Sequence, residues 1–300
     1  MVMTKIDCAF FHIIRQQKSR RAKYIEGKRM STTNTVLLNQ VDGVATITLN
    51  RPEAMNAMTN ELMRGISHAL DTVRNNSDIR VVILTGNGRG FCAGADLVQA
   101  AEPTKQASEK NHQDPQPNKQ GDHFNAAMRA LMDCPVPTIA RVNGPAAGGG
   151  FGLALACDIT VAAHSAFFVA TFGPNLGIVP DMGATWSIPQ RVGRARALGI
   201  TLLGDRISAE QALQWGMIWD AVEDEALDTR VNEIAAVLKR SSPSAVTRTR
   251  QTIDAAIHNT FSDQLDLEMT HQAVLIPKNM QAGAKAFLAK TTATFDGERG

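Results

Sequence analysis

Three hundred residues, 44% hydrophobic and 20% charged, suffice for one large α/β domain or two small ones and match the profile of a globular chain. The formal net charge of +2 is unevenly spread: residues 1–30 carry eight Lys/Arg against Asp7 and Glu26, a net of +6, which leaves the remainder at −4. A mildly acidic body gives no basis for nucleic-acid binding, and with no apolar run of about 18 residues no membrane span is expected.

The basic N-terminus reads in three ways. It is a targeting peptide lacking the serine richness of transit peptides, a tail that touches a partner, or an upstream extension with the working chain beginning near Met30. The third is favoured, because the first strand pattern starts only at Thr35; residues 1–33 are therefore expected to be a disordered extension. Cys8, Cys92, Cys134 and Cys157 show no metal-type pairing, which fits reduced thiols in a cytoplasm.

Thr35–Gln40 and Val44–Asn50 flank Asp42-Gly43, a hairpin signal. Asn50-Arg-Pro-Glu is a loop, and Thr59–Val73 reads as an amphipathic helix with Leu62, Ile66, Ala69, Leu70 and Val73 on one face. Arg80–Thr85 is strand-like and feeds a glycine-rich turn, Gly86–Asp96. Residues 99–121 are polar and broken by prolines, the pattern of a long loop of the kind that often forms a lid. Phe124–Met132 is helical and stops at Cys134-Pro-Val-Pro137, after which Thr138–Val142 is a strand feeding a second glycine cluster, Asn143–Gly150. Phe151–Ala156 is expected to be a buried helix, Asp158–Ala162 and Ala166–Ala170 strands, and Gly173–Gly183 a loop. Helices follow at Gly193–Leu203, Ala209–Gly216 (with Ser208 and Gln211 at capping-box spacing), Asp224–Lys239, from Ser242-Pro243 onward, and Phe261–Gln281. The βαβ units come first and the helices later, so the last third is expected to form a helical layer, placed between subunits.

Two strand-then-glycine turns about fifty residues apart can lie side by side in a parallel sheet linked by a crossover. Where such a turn opens a helix, unencumbered N–H groups and the helix dipole favour negative charge. One donor from each turn can then converge on a single oxygen.

Other signals are weaker. Gly88-Arg-Gly-Phe-Cys-Ala93 fits a dinucleotide fingerprint nominally, but no second βα half follows it, which argues against a nicotinamide enzyme. Cys92 in the first turn reads as a small apolar filler, and Asp158 as the acceptor of a local structural hydrogen bond. Asp96 is either a helix cap or a site residue, and Asp181 is evenly balanced between an N-cap and a functional carboxylate.

Taken together, Asn50-Arg-Pro-Glu with Asn56-Ala57, Arg89–Asp96, Asn143–Gly150, Cys157-Asp158-Ile, Leu176-Gly-Ile and Asp205–Ala212 resemble the crotonase (enoyl-CoA hydratase/isomerase) superfamily, in family order over about residues 35–298. More narrowly, Gly177-Ile-Val-Pro-Asp-Met-Gly, Ser208–Trp219 and Ala286-Phe-Leu-Ala-Lys resemble its phenylacetate-pathway isomerase branch. The resemblance implies an α/β fold with a crotonase-like ββα spiral core over 34–230 and a C-terminal helical trimerisation layer over 231–300. It implies assembly as a homotrimer or dimer of trimers, an acyl-CoA thioester substrate and no separate cofactor. By position, the N–H groups of Ala95 and Gly149 form the oxyanion hole, the Ala93 carbonyl region meets the adenine, and Gly94, Asp96, Gly148 and Gly173 contact the CoA ester. Hydratases of the family carry glutamates at two positions that are Gly152 and Gly173 here. Asp181 stands where isomerases of the family carry an acid and aryl-CoA dehalogenases a nucleophilic aspartate. The histidine and tryptophan that assist dehalogenases fall near Asn125 and at Gly173. The expected activity is therefore CoA-thioester isomerisation with Asp181 as proton shuttle; the alternatives are an enoyl-CoA hydratase and a non-catalytic acyl-CoA-binding protein.

Overall fold

Residues 35–100 and 122–299 are described by the computed structural model. The basic extension and most of the expected lid loop (101–121) lie outside the described residues. Strands β1 (Val36–Val41) and β2 (Val44–Leu49) form the expected hairpin, antiparallel with Val41 opposite Val44. Asp42 and Gly43 turn it at φ 47° and 75°, the left-handed pair that a two-residue hairpin loop needs. Alternation along β2 buries Ala45, Ile47 and Leu49.

From β2 the sheet continues in parallel through β3 (Val81–Gly86), β4 (Thr138–Val142), β6 (Ile159–Ala163) and β9 (Asp220–Val222), in the spatial order β1-β2-β3-β4-β6-β9. All six residues of β3 are buried, as expected for a parallel strand covered on both faces. Val82 pairs with Thr138 and Leu84 with Ala140, so the two strands that feed the glycine turns are immediate neighbours. A second, three-stranded sheet joins β5 (Ala146–Ala147), β7 (Phe167–Val169) and β8 (Ile207–Ser208).

Helix α1 (Asn60–Asn75) starts at Thr59, whose hydroxyl accepts from the Leu62 N–H. It buries Leu62, Met63, Ile66, Ala69, Leu70 and Val73 against β1, β2 and α3 (His123–Met132). Between them a short helical turn, α2 (Leu97–Ala100), follows the first glycine turn. Helix α4 (Gly149–Leu155) is buried along its whole length at the centre of the molecule.

Four expectations shift. The loop at 173–183 contains a helical turn, α5 (Gly173–Leu176). Helix α6 runs Ala184–Leu203, so Gly193 is a break inside it (φ 77°, ψ 163°) and not its start. Ala184, Ser187, Ile188 and Val192 supply a helical buried face before that break, which Pro189 disguised in the sequence. Ser208 caps α7 (Ala209–Gln214) through the Gln211 N–H, whereas Ser242 makes no side-chain bond at α9 (Pro243–Ala255). The last expected helix is α10 (Phe261–Leu275), a π-helical turn over Ile276–Met280 and then α11 (Gln281–Leu288); Pro277, lacking an N–H, interrupts the ladder there.

Helix α8 (Leu227–Leu238) buries Leu227, Val231, Ile234 and Ala235 and packs on β4 and β6. The expected boundary at residue 230 therefore falls inside a helix packed on the sheet. In the single chain α9 to α11 leave Ile253, Ile257, Phe261, Met269, Phe287 and Leu288 exposed.

Candidate active site

Two buried or half-buried asparagines weld the glycine turns into one unit. Asn56 is fully buried in a left-handed conformation (φ 56°) and follows Met55 at φ 49°. Its amide donates to the carbonyls of Asn87, Gly90 and Phe91, its side-chain oxygen accepts from Arg51 N–H, and its own carbonyl accepts from the Cys92 thiol. Asn143 accepts from Thr85 Oγ1 and Gly86 N–H and donates to the Gly88 carbonyl. Cβ atoms are excluded where the turns touch: one on Gly94, which sits at φ +87°, would lie 2.8 Å from Ala147 O, and one on Gly150 would lie 2.2 Å from Cys92 O.

At that seam lies a small cavity of about 60 Å³. Ala93, Gly94 and Ala95 from the first turn meet Gly148 and Gly149 from the second, with Asp181 on the rim loop. The remaining walls are Met58, Leu97, Phe124, Thr171, Phe172, Leu176, Ile178 and Met182; apart from Ile178 and Met182, expected as apolar neighbours of Asp181, the sequence marked none of them as pocket residues. They come from six different segments, so no local spacing announces them.

Neighbouring N–H groups in both turns are satisfied: Ala93 donates to Met55 O, Asp96 to Met58 O, Ala147 to Cys92 O and Gly148 to Val169 O. The N–H groups of Ala95 and Gly149 have no hydrogen-bond partner among the described residues. Gly149 is the first residue of α4, where an N–H has no acceptor within the helix and the dipole is positive.

Asp96 and Gly173 do not line the cavity. The Asp96 carboxylate is held by Arg51 at 2.9 Å and accepts from the Val98 N–H at 3.2 Å, so it serves the turn's structure. Gly173 faces Thr201 O, 3.3 Å from where its Cβ would stand. Asp158 is likewise structural, accepting from Thr138 N–H and Oγ1 and paired with Arg250. The Cys92 thiol is fully buried, and burial pushes its pKa up to about 12, which makes it inert at neutral pH.

Asp181 does not cap α6. Gly183 occupies the N-cap position at φ 71°, and the helix start receives only the Asp181 backbone carbonyl, bonded by Ala184 N–H. The carboxylate is accessible to solvent in the single chain, yet the surrounding protein raises its pKa above 3.8 by desolvation, opposed by its own N–H. Behind it Met182 adopts a left-handed conformation (φ 52°) and is 3% exposed. Its carbonyl fills the space beside Gly152, where a Cβ would lie 2.4 Å away. Among the described residues no group of three or more His, Cys, Asp or Glu is arranged to hold a metal ion.

A model of the enoyl-CoA hydratase/isomerase family matches residues 39–298. The chain is 42% identical over 266 residues to a 1,2-epoxyphenylacetyl-CoA isomerase of Escherichia coli, covering 87% of this chain and 98% of that protein. It is 36% identical to a probable enoyl-CoA hydratase of Rhodobacter capsulatus, covering 88% and 98% respectively. The crystal structure of an enoyl-CoA hydratase from Bacillus anthracis superposes with a TM-score of 0.79 at 31% identity, over 88% of this chain and all of that one.

Proposed function

The chain belongs to the enoyl-CoA hydratase/isomerase (crotonase) family, and on that premise we propose that it is a CoA-thioester isomerase. In this reading the thioester carbonyl oxygen sits between the N–H groups of Ala95 and Gly149. Asp181 takes a proton from one carbon of the acyl group and returns it to another. The electron pair left by the proton moves onto the thioester oxygen as an enolate, and it flows back when the proton is returned, so that only the double bond, or a ring epoxide in conjugation with it, is rearranged. Preorganised donors aimed at that oxygen are each worth roughly 2.7–4 kcal/mol in the transition state. Both N–H groups keep their donor capacity for it.

One observation carries the choice of reaction. Asp181 is the only carboxylate lining the cavity among the described residues, and a side chain at position 152 would collide with the Met182 carbonyl. Adding water by general acid/base catalysis at two sites calls for two placed groups, whereas moving one proton calls for one. The hydratase reading draws support from the names of several relatives, among them the Rhodobacter capsulatus protein. The chemistry needs no cofactor beyond the CoA of the substrate. The exposed apolar faces of α9 to α11 support assembly with further copies of the chain, as a homotrimer or dimer of trimers.

The test is product identity. Given a 3-enoyl-CoA, the protein is expected to form the conjugated 2-enoyl-CoA, read by absorbance and mass. Conversion of a 2-enoyl-CoA to the 3-hydroxyacyl-CoA, with no shift of the 3-enoyl double bond, would make it a hydratase, and binding without conversion of either ester would make it a binding protein.

A further inference from the structure

Thr171 is the second polar side chain of the cavity, and the reaction proposed above gives it no task. It follows β7, is 8% exposed, and lines the cavity together with Gly149 and Asp181. Its hydroxyl has no hydrogen-bond partner among the described residues. Nor is that oxygen one of the fully enclosed polar atoms that lack a partner among the described residues, so it keeps a little surface on a residue that lines the cavity. Its oxygen stands beside the second glycine turn: a Cβ built on Gly148 would lie 3.0 Å from Thr171 Oγ1. The hydroxyl thus faces the turn that carries the Gly149 N–H, next to where the thioester end of a substrate would lie.

The other side-chain walls near it, Met58, Leu97, Phe124, Phe172 and Leu176, are apolar. A hydrocarbon acyl group seated against them would expel water and leave the hydroxyl unpaired, which carries a desolvation cost. An acyl group bearing an oxygen close to its α and β carbons would accept the hydroxyl's proton in a hydrogen bond and avoid that cost. A pocket that hydrogen-bonds a substituent discriminates against the analogue that lacks it.

We propose that Thr171 is a specificity-determining residue that selects acyl-CoA esters carrying an oxygen substituent, such as a ring epoxide or hydroxyl, near the thioester over plain hydrocarbon esters. The inference rests on the cavity being the acyl site, and its test is kept independent of turnover. Dissociation constants of phenylacetyl-CoA and 2-hydroxyphenylacetyl-CoA are measured by calorimetry on the parent, on Thr171→Val and on Thr171→Ser. The parent is expected to favour the hydroxylated ester by about three- to tenfold, the scale of one neutral hydrogen bond. Thr171→Val, which keeps the shape and loses the hydroxyl, is expected to abolish that preference by weakening the hydroxylated ester alone, and Thr171→Ser to retain it. If the valine variant fails to fold, Thr171→Ala serves the same comparison. Equal affinity of the parent for both esters, or an equal loss for both in Thr171→Val, overturns the inference while leaving the acyl-site reading standing. Failure of both esters to bind the parent overturns the two together.

Discussion

At the residue scale Asp181 carries the account. Its carboxylate has no bond to the start of α6, and desolvation raises its pKa. The sign for stability follows: the folded protein binds the proton more tightly than the unfolded chain, so stability falls as pH rises from 3.8 through the raised folded value, and the cost persists above it. Asp181→Asn should therefore leave the melting temperature at pH 7 unchanged or slightly higher; a clear fall would restore a structural role. For activity, the base form is required, so kcat/KM should decline on the acid side through an apparent pKa above 3.8. A pH profile that shows the same acid limb in Asp181→Asn as in the parent would assign the limb to another group. The cap half of the even balance at this position is removed by Gly183, whose left-handed backbone takes the N-cap; the proton-shuttle half stands as the proposal. Nothing in the order Pro-Asp-Met-Gly separates those two outcomes, because both put an aspartate just before a helix.

At the scale of elements, the two strand–turn units were legible and the pocket walls were not. β3 and β4 announce themselves by apolar runs that end in glycine, and a parallel pairing of such runs brings their turns together by geometry alone. The roles of Asn56 and Asn143 were hidden, since a buried hydrogen-bonding hub has no periodicity; only their place in the motifs marked them. Gly152 was legible as a missing glutamate, but its physical cause, the Met182 carbonyl, lies 30 positions further along the chain. Gly152→Ala should accordingly push back the backbone of the Asp181–Met182 segment, costing roughly 1–3 kcal/mol of stability, the scale of overpacking. Chemical denaturation would read it, and a variant as stable as the parent would show that the segment yields freely. Gly149→Pro tests the other end of the same helix. Proline is tolerated as the first helical residue but brings no N–H, so turnover should fall by about 10²-fold or more in a protein whose circular dichroism is that of the parent. Parent-like turnover would make the glycine cluster a turn and no more.

At the scale of the whole molecule, the C-terminal region is tied to the core by its last residues. The Arg299 guanidinium donates to the carbonyls of Val73, Arg74, Asn76 and Ile79 at the C-terminal end of α1, and Arg80 donates to Phe295 O and Ser241 O. A cation at a helix C-terminus both satisfies the last carbonyls and complements the dipole. Arg299→Ala is expected to lower stability by about 1 kcal/mol, discounted for its partial exposure, and to be measurable as a lower melting temperature. An unchanged melting temperature would show that the strap adds nothing to the fold. This long-range clamp was invisible in the sequence because no motif spans residues 73 to 299. The helical character of the last third was visible, whereas its junction with the core was not, since α8 is amphipathic like the helices after it yet buries its apolar face on the sheet.

The claim on which all three scales depend is that one carboxylate moves the proton. It is tested most directly by following exchange of the α-protons of a 3-enoyl-CoA with D₂O by NMR, in the parent and in Asp181→Asn, at ester concentrations that saturate both. Enzyme-dependent exchange is expected in the parent, lowered by ~10²-fold or more in Asp181→Asn with an unaltered dissociation constant for the ester. Exchange at the parent rate in a folded Asp181→Asn protein would contradict it.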